Sequence, residues 1–375
     1  MLLVVPPGLR GAVQELGLPH RLGADPDEEE LAPLWKRFGH APADEASVIA
    51  NREIFGRLST QAMLPTMREA AQEFRPELVL REPCEYASAI TAIEAGVPHM
   101  QVAISLAAVE VASLAIAGPA LDVQKDGLAQ RLLDEPYLTR FPQAVDPSSF
   151  TVTVRCREAP MPSQPAQPLP DWWRGSRDPL VYLTLGTVAG SLPATAEVYR
   201  TALRAVADLP VRALLTTGHG TDPTQLGSLP GNVHVERWAE QRDVLAAAAV
   251  VLCHGGSGTT FGALAAGVPL VVVPLFADQP ANGRLVASLG AGRVVQATAG
   301  SDQVRAALQS VLTDDGYRSA ARKHASELRG LPDADTLLHT IAEGHLFAPG
   351  GQVPLCAALG ERPLVAADGP SGSAR

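Results

Sequence analysis

Short apolar segments alternate with longer amphipathic stretches along most of the chain. Runs such as Leu180–Leu185 and Val250–Cys253 have the length of buried strands, and each leads into a glycine-containing loop and then a stretch with helical spacing. Strands that alternate with helices predict an α/β fold with parallel sheets. A chain of 375 residues is long enough to form two such domains, each with its own core.

Prolines mark the boundary between the two predicted domains. Five of them between Arg157 and Asp171 prevent regular structure, so this segment is expected to be a linker. The adjacent pair Trp172-Trp173 is expected to dock the linker on the second domain. The division predicted is an N-terminal domain, a linker, a C-terminal domain with a closing helix and a disordered tail, over residues 1–156, 157–178, 179–345 and 346–375.

Composition excludes several functions. The chain has 40 acidic and 30 basic side chains, a net charge of −10, which disfavours nucleic acid as a partner. The cysteines have neither disulfide nor metal-ligand spacing, which predicts a reduced cytoplasmic protein without a metal site; they are Cys84, Cys156, Cys253 and Cys356. The longest apolar tract, Met100–Leu121, contains Gln101 and Glu110, so a buried strand and helix explain it better than a membrane span.

A glycine-rich loop follows the strand that ends at Cys253. Its glycines are Gly255, Gly256 and Gly258. Without a Cβ they let a bulky anion approach the backbone, and the free N–H groups of Ser257 and Thr259 at a helix start suit a phosphate. His254 adds a donor. The loop lacks the lysine of a P-loop, so it predicts another kind of diphosphate cradle. The alternative is a tight strand-to-helix turn without a ligand.

Four further residues are candidates for ligand contacts. Trp238, at a strand end, can stack on a nucleobase, although a tryptophan is more often part of a core. Thr187, after a strand, can offer its hydroxyl and N–H to a phosphate or simply form a turn. Asp278 and Gln279 follow the strand Leu270–Val273 and suit sugar hydroxyls, while the alternative for Asp278 is a helix cap.

An internal repeat relates the two halves. Ala92–Pro98 and Ala263–Pro269 both follow an apolar strand and a polar loop, and both end in Gly-Val-Pro. This predicts two similar doubly wound domains, unless the repeat of a common unit arose by chance. The repeat also gives Glu82 in the first half the position that His254 has in the second half. Both residues would then lie at strand carboxyl ends that face the cleft between the domains.

The motifs together resemble the nucleotide-sugar signature of GT-B glycosyltransferases of family 1. The segment His254–Thr260, the Gly267-Val268-Pro269 turn and the Asp278-Gln279-Pro280-x-Asn282 motif carry the resemblance. It is closest to the bacterial branch that attaches deoxysugars to macrolides, anthracyclines and enediynes. One departure is Glu240, which stands where the family has proline after Trp238.

The resemblance implies a role for each residue of the second domain. Trp238 would stack on the base, the backbone of Ala239 would meet its edge and Gln241 would lie beside them. The diphosphate would be held by Thr187, His254, Gly255, Gly256, Ser257, Gly258 and Thr259. Asp278 and Gln279 would bind the sugar.

The same resemblance implies an inverting, metal-independent enzyme. It would move a sugar, expected to be a deoxysugar, from a dTDP- or UDP-sugar to a small hydrophobic aglycone. No cofactor is expected, because the nucleotide sugar is a co-substrate. A homodimer or an auxiliary protein remains open. The alternatives are a non-catalytic relative that binds a nucleotide sugar or assists a transferase, and an epimerase of the same architecture.

One part of the family pattern has no counterpart in the sequence. Family members open with a strand, a loop containing the catalytic base histidine and a helix, before the segment that matches Met1–Gly8. Glu82 corresponds to the acidic residue that orients this histidine, and His20, His40 and His99 do not match the histidine itself. We therefore expect a truncated start and weakened acceptor activation, or alternatively a domain that is naturally one strand shorter.

Overall fold

The computed structural model describes residues 1–157, 166–186, 193–218 and 223–342. Within these ranges the chain forms two α/β domains joined by the proline-rich linker. The predicted tail and the candidate Thr187 lie outside the described residues.

The second domain is built on one six-stranded sheet. Its strands are β7 (Leu180–Thr184), β8 (Arg212–Thr216), β9 (Val233–Glu236), β10 (Ala248–Cys253), β11 (Leu270–Val272) and β12 (Gly292–Val294). Its helices are α8 (Pro193–Val206), α9 (Gln241–Ala247), α10 (Ser257–Ala265), α11 (Gln279–Ser288), α12 (Ser301–Thr313) and α13 (Asp315–Arg329). All strand pairs are parallel, in the order β12-β11-β10-β7-β8-β9.

Burial on both faces explains the apolar strands of this sheet. Every residue of β7 is buried, and helices α8 and α12 cover one face while α9, α10 and α13 cover the other. The strand order reverses between β7 and β10, where Thr184 lies opposite Cys253. The loops after these two strands therefore diverge and leave a crevice at the switch point, which is where such sheets bind ligands.

The first domain has six strands and a larger share of helix. Its strands are β1 (Leu3–Val5), β2 (His20–Leu22), β3 (Val79–Arg81), β4 (His99–Val102), β5 (Pro136–Thr139) and β6 (Val152–Arg155). Its α-helices are α1 (Arg10–Glu15), α2 (Glu28–Phe38), α3 (Ala43–Val48), α4 (Thr60–Phe74), α5 (Ala87–Ala95), α6 (Ala107–Gln124) and α7 (Leu128–Leu133). A π-helical segment, Ile49–Ser59, joins α3 to α4.

These six strands form two separate parallel sheets. β1 pairs only with β2, and β3 to β6 form a four-stranded sheet in sequential order. An apolar cavity of about 900 Å³ lies between β1 and β3, with Met63, Met67 and Leu80 among its lining side chains. The strands of the first domain are thus divided between two sheets at this cavity.

The repeat found in the sequence corresponds to a repeat of structure. The units β3-α5-β4 and β10-α10-β11 are both strand, helix and parallel strand. In each unit a glycine in the left-handed region, Gly96 or Gly267, follows the helix and turns the chain into the next strand. Glu82 and His254 accordingly occupy equivalent places, one residue beyond β3 and β10.

The apolar tract around residue 110 forms strand β4 and helix α6. Among the described residues, α6 is the one helix long and apolar enough to cross a membrane by length and composition. Its buried side chains Leu114, Ala117 and Leu121 pack against α4, α5 and α7 in the core of the first domain. Glu110 on its first turn is also buried and makes hydrogen bonds inside the protein.

The linker docks on the second domain, as its tryptophans predict. The ring of Trp172 stacks on His234 with centroids 4.3 Å apart, and Nε1 of Trp173 donates to the carbonyl of Asn232. The last described helix, α14 (Ala334–Ala342), departs from the expected grouping with the second domain. Its Leu337 packs against Met100 and Val154 of the first domain, because their apolar surfaces face the helix.

Candidate functional site

The glycine-rich loop ends at the N-terminus of α10. Gly256 is the N-cap residue, and the N–H groups of Ser257, Gly258 and Thr259 in the first turn donate to no residue that the structure describes. A Cβ placed on Gly258 would meet no described atom within 4 Å. The first turn of α10 therefore offers open backbone donors at a positive dipole end, which suits an anion.

Two glycines of the loop are required by close packing. Gly255 has a φ of 91°, and a Cβ there would lie 2.8 Å from Cγ1 of Val272. A Cβ on Gly256 would lie 2.7 Å from Cε1 of His254, and one on Gly186 would lie 2.8 Å from the same atom. The imidazole thus fits between the two loops that flank the switch point.

His254 is buried and uncharged in this environment. Burial lowers the pKa of its imidazole to about 4, against the opposing effect of Asp278. Its Nδ1 is buried and has no hydrogen-bond partner among the described residues. A neutral imidazole still carries one N–H, so His254 can serve as a hydrogen-bond donor but not as a cation near neutral pH.

Asp278 forms the centre of a polar cluster beside the loop. Its Oδ2 accepts hydrogen bonds from Ser257 Oγ at 2.7 Å and from Asn282 Nδ2 at 2.8 Å. Asn282, fully buried, also donates to the carbonyl of Gly255. Although Asp278 is the N-cap residue of α11, its side chain makes no capping bond. The carboxylate is instead tied to the first residue of α10, on the side of the anion cradle.

Gln279 is placed differently from its neighbour. Its side chain is buried, and its Oε1 accepts from the backbone N–H groups of Leu275 and Phe276 at 2.8 and 3.0 Å. It therefore holds the loop that carries Asp278. A direct contact between Gln279 and a sugar stays a prediction. Because Oε1 already accepts two hydrogen bonds, the side-chain nitrogen would have to make that contact.

The candidate base-binding residues lie after β9. Trp238 is 59% exposed, which is unusual for a large aromatic residue and leaves its ring available for stacking. Ala239 packs against the apolar cluster beneath it. Gln241 begins α9, and its side-chain amide lies against Gly262 of α10, where a Cβ would come within 2.9 Å of Nε2.

Glu82 stands apart from these residues, at the edge of the cavity in the first domain. Its Oε2 accepts from the N–H of Cys84 at 2.9 Å, and the surrounding protein raises the pKa of the carboxyl by desolvation. No described histidine bonds to it. His20 and His40 contact the carbonyls of Leu18 and Lys36, and His99 pairs with Glu135.

Two residues of this site were not among the predicted ligand contacts, although Asn282 belongs to the motif that carries the resemblance. Asn282 follows Asp278 by four positions, so the helical period itself predicted that the two side chains meet. Ser105 belongs to the other domain, and its Oγ donates to Oδ2 of Asp278 at 3.2 Å. No sequence signal marks a contact between residues 173 positions apart. Within the described ranges, no group of three His, Cys, Asp or Glu side chains is arranged to hold a metal ion.

Two Rossmann-like domains, with an anion cradle at the switch point of the second, define a GT-B glycosyltransferase architecture. The chain resembles the glycosyltransferase VinC, solved in complex with dTDP, with a TM-score of 0.67 and 21% identity over 91% of each chain. That likeness shows the fold.

Sequence comparison identifies the family. The N-terminal domain of erythromycin biosynthesis protein CIII-like proteins matches residues 40–186, and their C-terminal domain matches residues 200–343. The elloramycin glycosyltransferase ElmGT of Streptomyces olivaceus is 34% identical over 295 residues, 74% of this chain and 72% of its own. The L-demethylnoviosyl transferase of Streptomyces niveus is 32% identical over 309 residues, 81% and 76% of the two chains. The chain belongs to this family and is a glycosyltransferase of the natural-product type.

Proposed function

We propose that this glycosyltransferase moves a deoxysugar from a dTDP- or UDP-sugar to a hydroxyl of a small apolar aglycone. Transfer inverts the anomeric configuration and uses neither a bound metal ion nor a cofactor. One observation carries the proposal: the open first turn of α10 lies directly beside the Asp278 carboxylate, and Ser257 Oγ joins the two at 2.7 Å. An anion cradle and a sugar-binding carboxylate at this spacing match a sugar diphosphate.

The donor occupies the crevice at the switch point of the second domain. The diphosphate accepts from the N–H groups of Ser257, Gly258 and Thr259 and from His254, and the base stacks on exposed Trp238. The sugar meets the carboxylate of Asp278. A thymidine nucleotide is favoured because the structurally similar VinC was solved with dTDP.

Stabilisation of the leaving group lowers the barrier of the transfer reaction. The acceptor oxygen forms a bond to the anomeric carbon as the bond from that carbon to the diphosphate oxygen breaks, and the electron pair of that bond leaves with the diphosphate. The new negative charge develops where the α10 amides and the neutral His254 donate. These donors are fixed before the reaction, so they need no reorganisation in the transition state.

The aglycone binds on the opposite side, in the first domain. The cavity of about 900 Å³ is lined mainly by apolar side chains, and its end near Glu82, Cys84 and Ile104 lies at the carboxyl ends of the strands. Glu82 is the carboxylate that we assign to the acceptor side. Because no described histidine bonds to it, the attacking hydroxyl releases its proton to water, and acceptor activation is weak.

Turnover assays with defined donors test this function. Purified protein is incubated with dTDP- and UDP-deoxysugars and a panel of polyketide aglycones in the presence of EDTA, and products are detected by mass spectrometry. We expect a mass gain of one deoxysugar, slow donor hydrolysis without an aglycone and inverted anomeric coupling in NMR spectra. Asp278→Asn is expected to abolish both reactions. Tight nucleotide-sugar binding without transfer or hydrolysis would instead support the non-catalytic alternative.

A further inference from the structure

The two domains touch through a hydrogen bond at the candidate sugar-binding carboxylate. Ser105 lies in the first domain, in the loop between β4 and α6, and it is buried. Its Oγ donates to Oδ2 of Asp278 in the second domain at 3.2 Å. The two loops follow β4 and β11, which are equivalent strands in the repeated units of the two domains.

The hydrogen bonds of Asp278 leave one of its oxygens for a ligand. Oδ2 receives three donors, from Ser105, Ser257 and Asn282. Oδ1 accepts no hydrogen bond from any residue that the structure describes. Three donors on one oxygen fix the rotation of the carboxylate, and an oriented Oδ1 is what a sugar hydroxyl requires.

A buried network holds Ser105 in place. Oε1 of Glu110 accepts from the backbone N–H groups of Ile104 and Ser105 at 2.9 and 2.8 Å. Gln101 donates to the other oxygen of Glu110, and Arg81 donates to Gln101 at 2.7 Å. The loop is therefore tied to strands β3 and β4 of its own domain and is not free to follow the second domain.

We propose that Ser105 is a positioning residue for donor recognition, acting across the cleft through Asp278. Separation of the domains removes the Ser105 bond but leaves those of Ser257 and Asn282, which lie in the same domain as Asp278. The carboxylate is then fully oriented only when the two domains are in contact. Recognition of the donor sugar therefore depends on contact between the two domains. This role rests on the proposed function, in which Asp278 binds the sugar.

The test separates nucleotide binding from sugar binding. Dissociation constants of dTDP and of a dTDP-deoxysugar are measured by calorimetry for the wild type and for Ser105→Ala. We expect dTDP to bind both proteins equally and the sugar nucleotide to bind the variant about 3- to 10-fold more weakly, since one of the three hydrogen bonds that orient the Asp278 carboxylate is lost. In turnover assays KM for the donor should rise by a similar factor with a smaller change in kcat.

Two further variants complete the experiment. Ser105→Thr retains a hydroxyl and should recover much of the loss, whereas Ser113→Ala, on the helix after the same loop, should behave as the wild type. A Ser105→Ala protein that folds, binds dTDP and keeps the full affinity for the sugar nucleotide overturns the role of Ser105 alone. A wild-type protein that binds no nucleotide overturns the proposed function and this role with it.

Discussion

The rings of Phe141 and Phe261 pack against each other across the domain boundary, with centroids 4.1 Å apart and planes inclined at 53°. Phe141 follows β5 in the first domain, and Phe261 is in the middle of α10 in the second. The Arg140 guanidinium lies 5.4 Å from the first centroid and 5.5 Å from the other. Helix α10, whose first turn carries the candidate phosphate-binding N–H groups, is thus anchored to the first domain.

Removing the Phe141 ring should destabilise the position of α10 without changing any candidate donor-binding residue. Phe141→Ala deletes a ring that is 2% exposed, and the loss should cost about 3 kcal/mol or more of stability. We expect a clear drop in melting temperature by scanning calorimetry and a raised KM for the donor. Trp35→Ala is the control, because Trp35 is 43% exposed, does not line the cavity and its loss should change both values little. Equal effects of the two variants would show that the interdomain pair is unimportant.

Two glycines of the cradle should respond in opposite ways to alanine. In Gly256→Ala the new methyl meets the His254 ring, so we expect a loss of about 1–3 kcal/mol in stability. In Gly258→Ala the methyl enters open space, so stability should stay the same or rise by up to about 1 kcal/mol. The same methyl should weaken dTDP binding, because it occupies the approach of the phosphates.

A third glycine provides the control for this pair. A Cβ placed on Gly11 in α1 would also meet no described atom within 4 Å, so Gly11→Ala should gain helix stability with dTDP affinity unchanged. Chemical denaturation and calorimetry measure the two quantities. If Gly258→Ala binds dTDP as tightly as Gly11→Ala does, the phosphates do not approach this turn.

Trp238 should matter for the nucleotide and hardly at all for the fold. Its ring is 59% exposed, so Trp238→Ala should leave the melting temperature almost unchanged. Loss of stacking should weaken dTDP binding by about 1–3 kcal/mol. Trp35→Ala, which removes a 43% exposed indole from α2, should have no effect on dTDP. A dTDP affinity that is the same for both variants would place the base elsewhere.

The buried imidazole of His254 should make stability depend on pH. Its pKa is lowered from an ordinary 6.5 to about 4, so the unfolded chain takes up this proton at a higher pH than the native protein. The neutral ring of His254 contributes fully to the free energy of unfolding above pH 6.5. This contribution, up to about 3 kcal/mol, is lost as the pH falls to about 4. The wild type should therefore lose more stability than His254→Gln over this interval. If the unfolding free energies of the two proteins fall in parallel from pH 7 to pH 4, the native ring is not held neutral by burial.

Much of the second domain could be predicted from local sequence. The strand, glycine loop and helix around Gly256 are encoded within a short stretch of chain, and the structure confirms each element. The orientation of Gln279 was beyond such reasoning, because it depends on where the N–H groups of Leu275 and Phe276 point. Local patterns give the element and the residue type, while side-chain direction follows from packing.

The first domain shows the larger gap between pattern and structure. Its strands were recognisable one by one, but their spacing along the chain did not show which of them pair, so the cavity between β1 and β3 could not be located from it. Ser105 is a similar case: its loop has no motif, and its importance arises only because tertiary folding brings it to Asp278. Contacts between distant segments depend on the arrangement of whole domains, which periodicity does not encode.

Binding of dTDP to the first turn of α10 is the most direct test of the account. A crystal structure of the wild-type protein with dTDP should place diphosphate oxygens about 3 Å from the backbone nitrogens of Ser257, Gly258 and Thr259, with the base on Trp238. The account is contradicted if saturating dTDP leaves those three nitrogens without a phosphate partner, or if the nucleotide binds at another place on the protein.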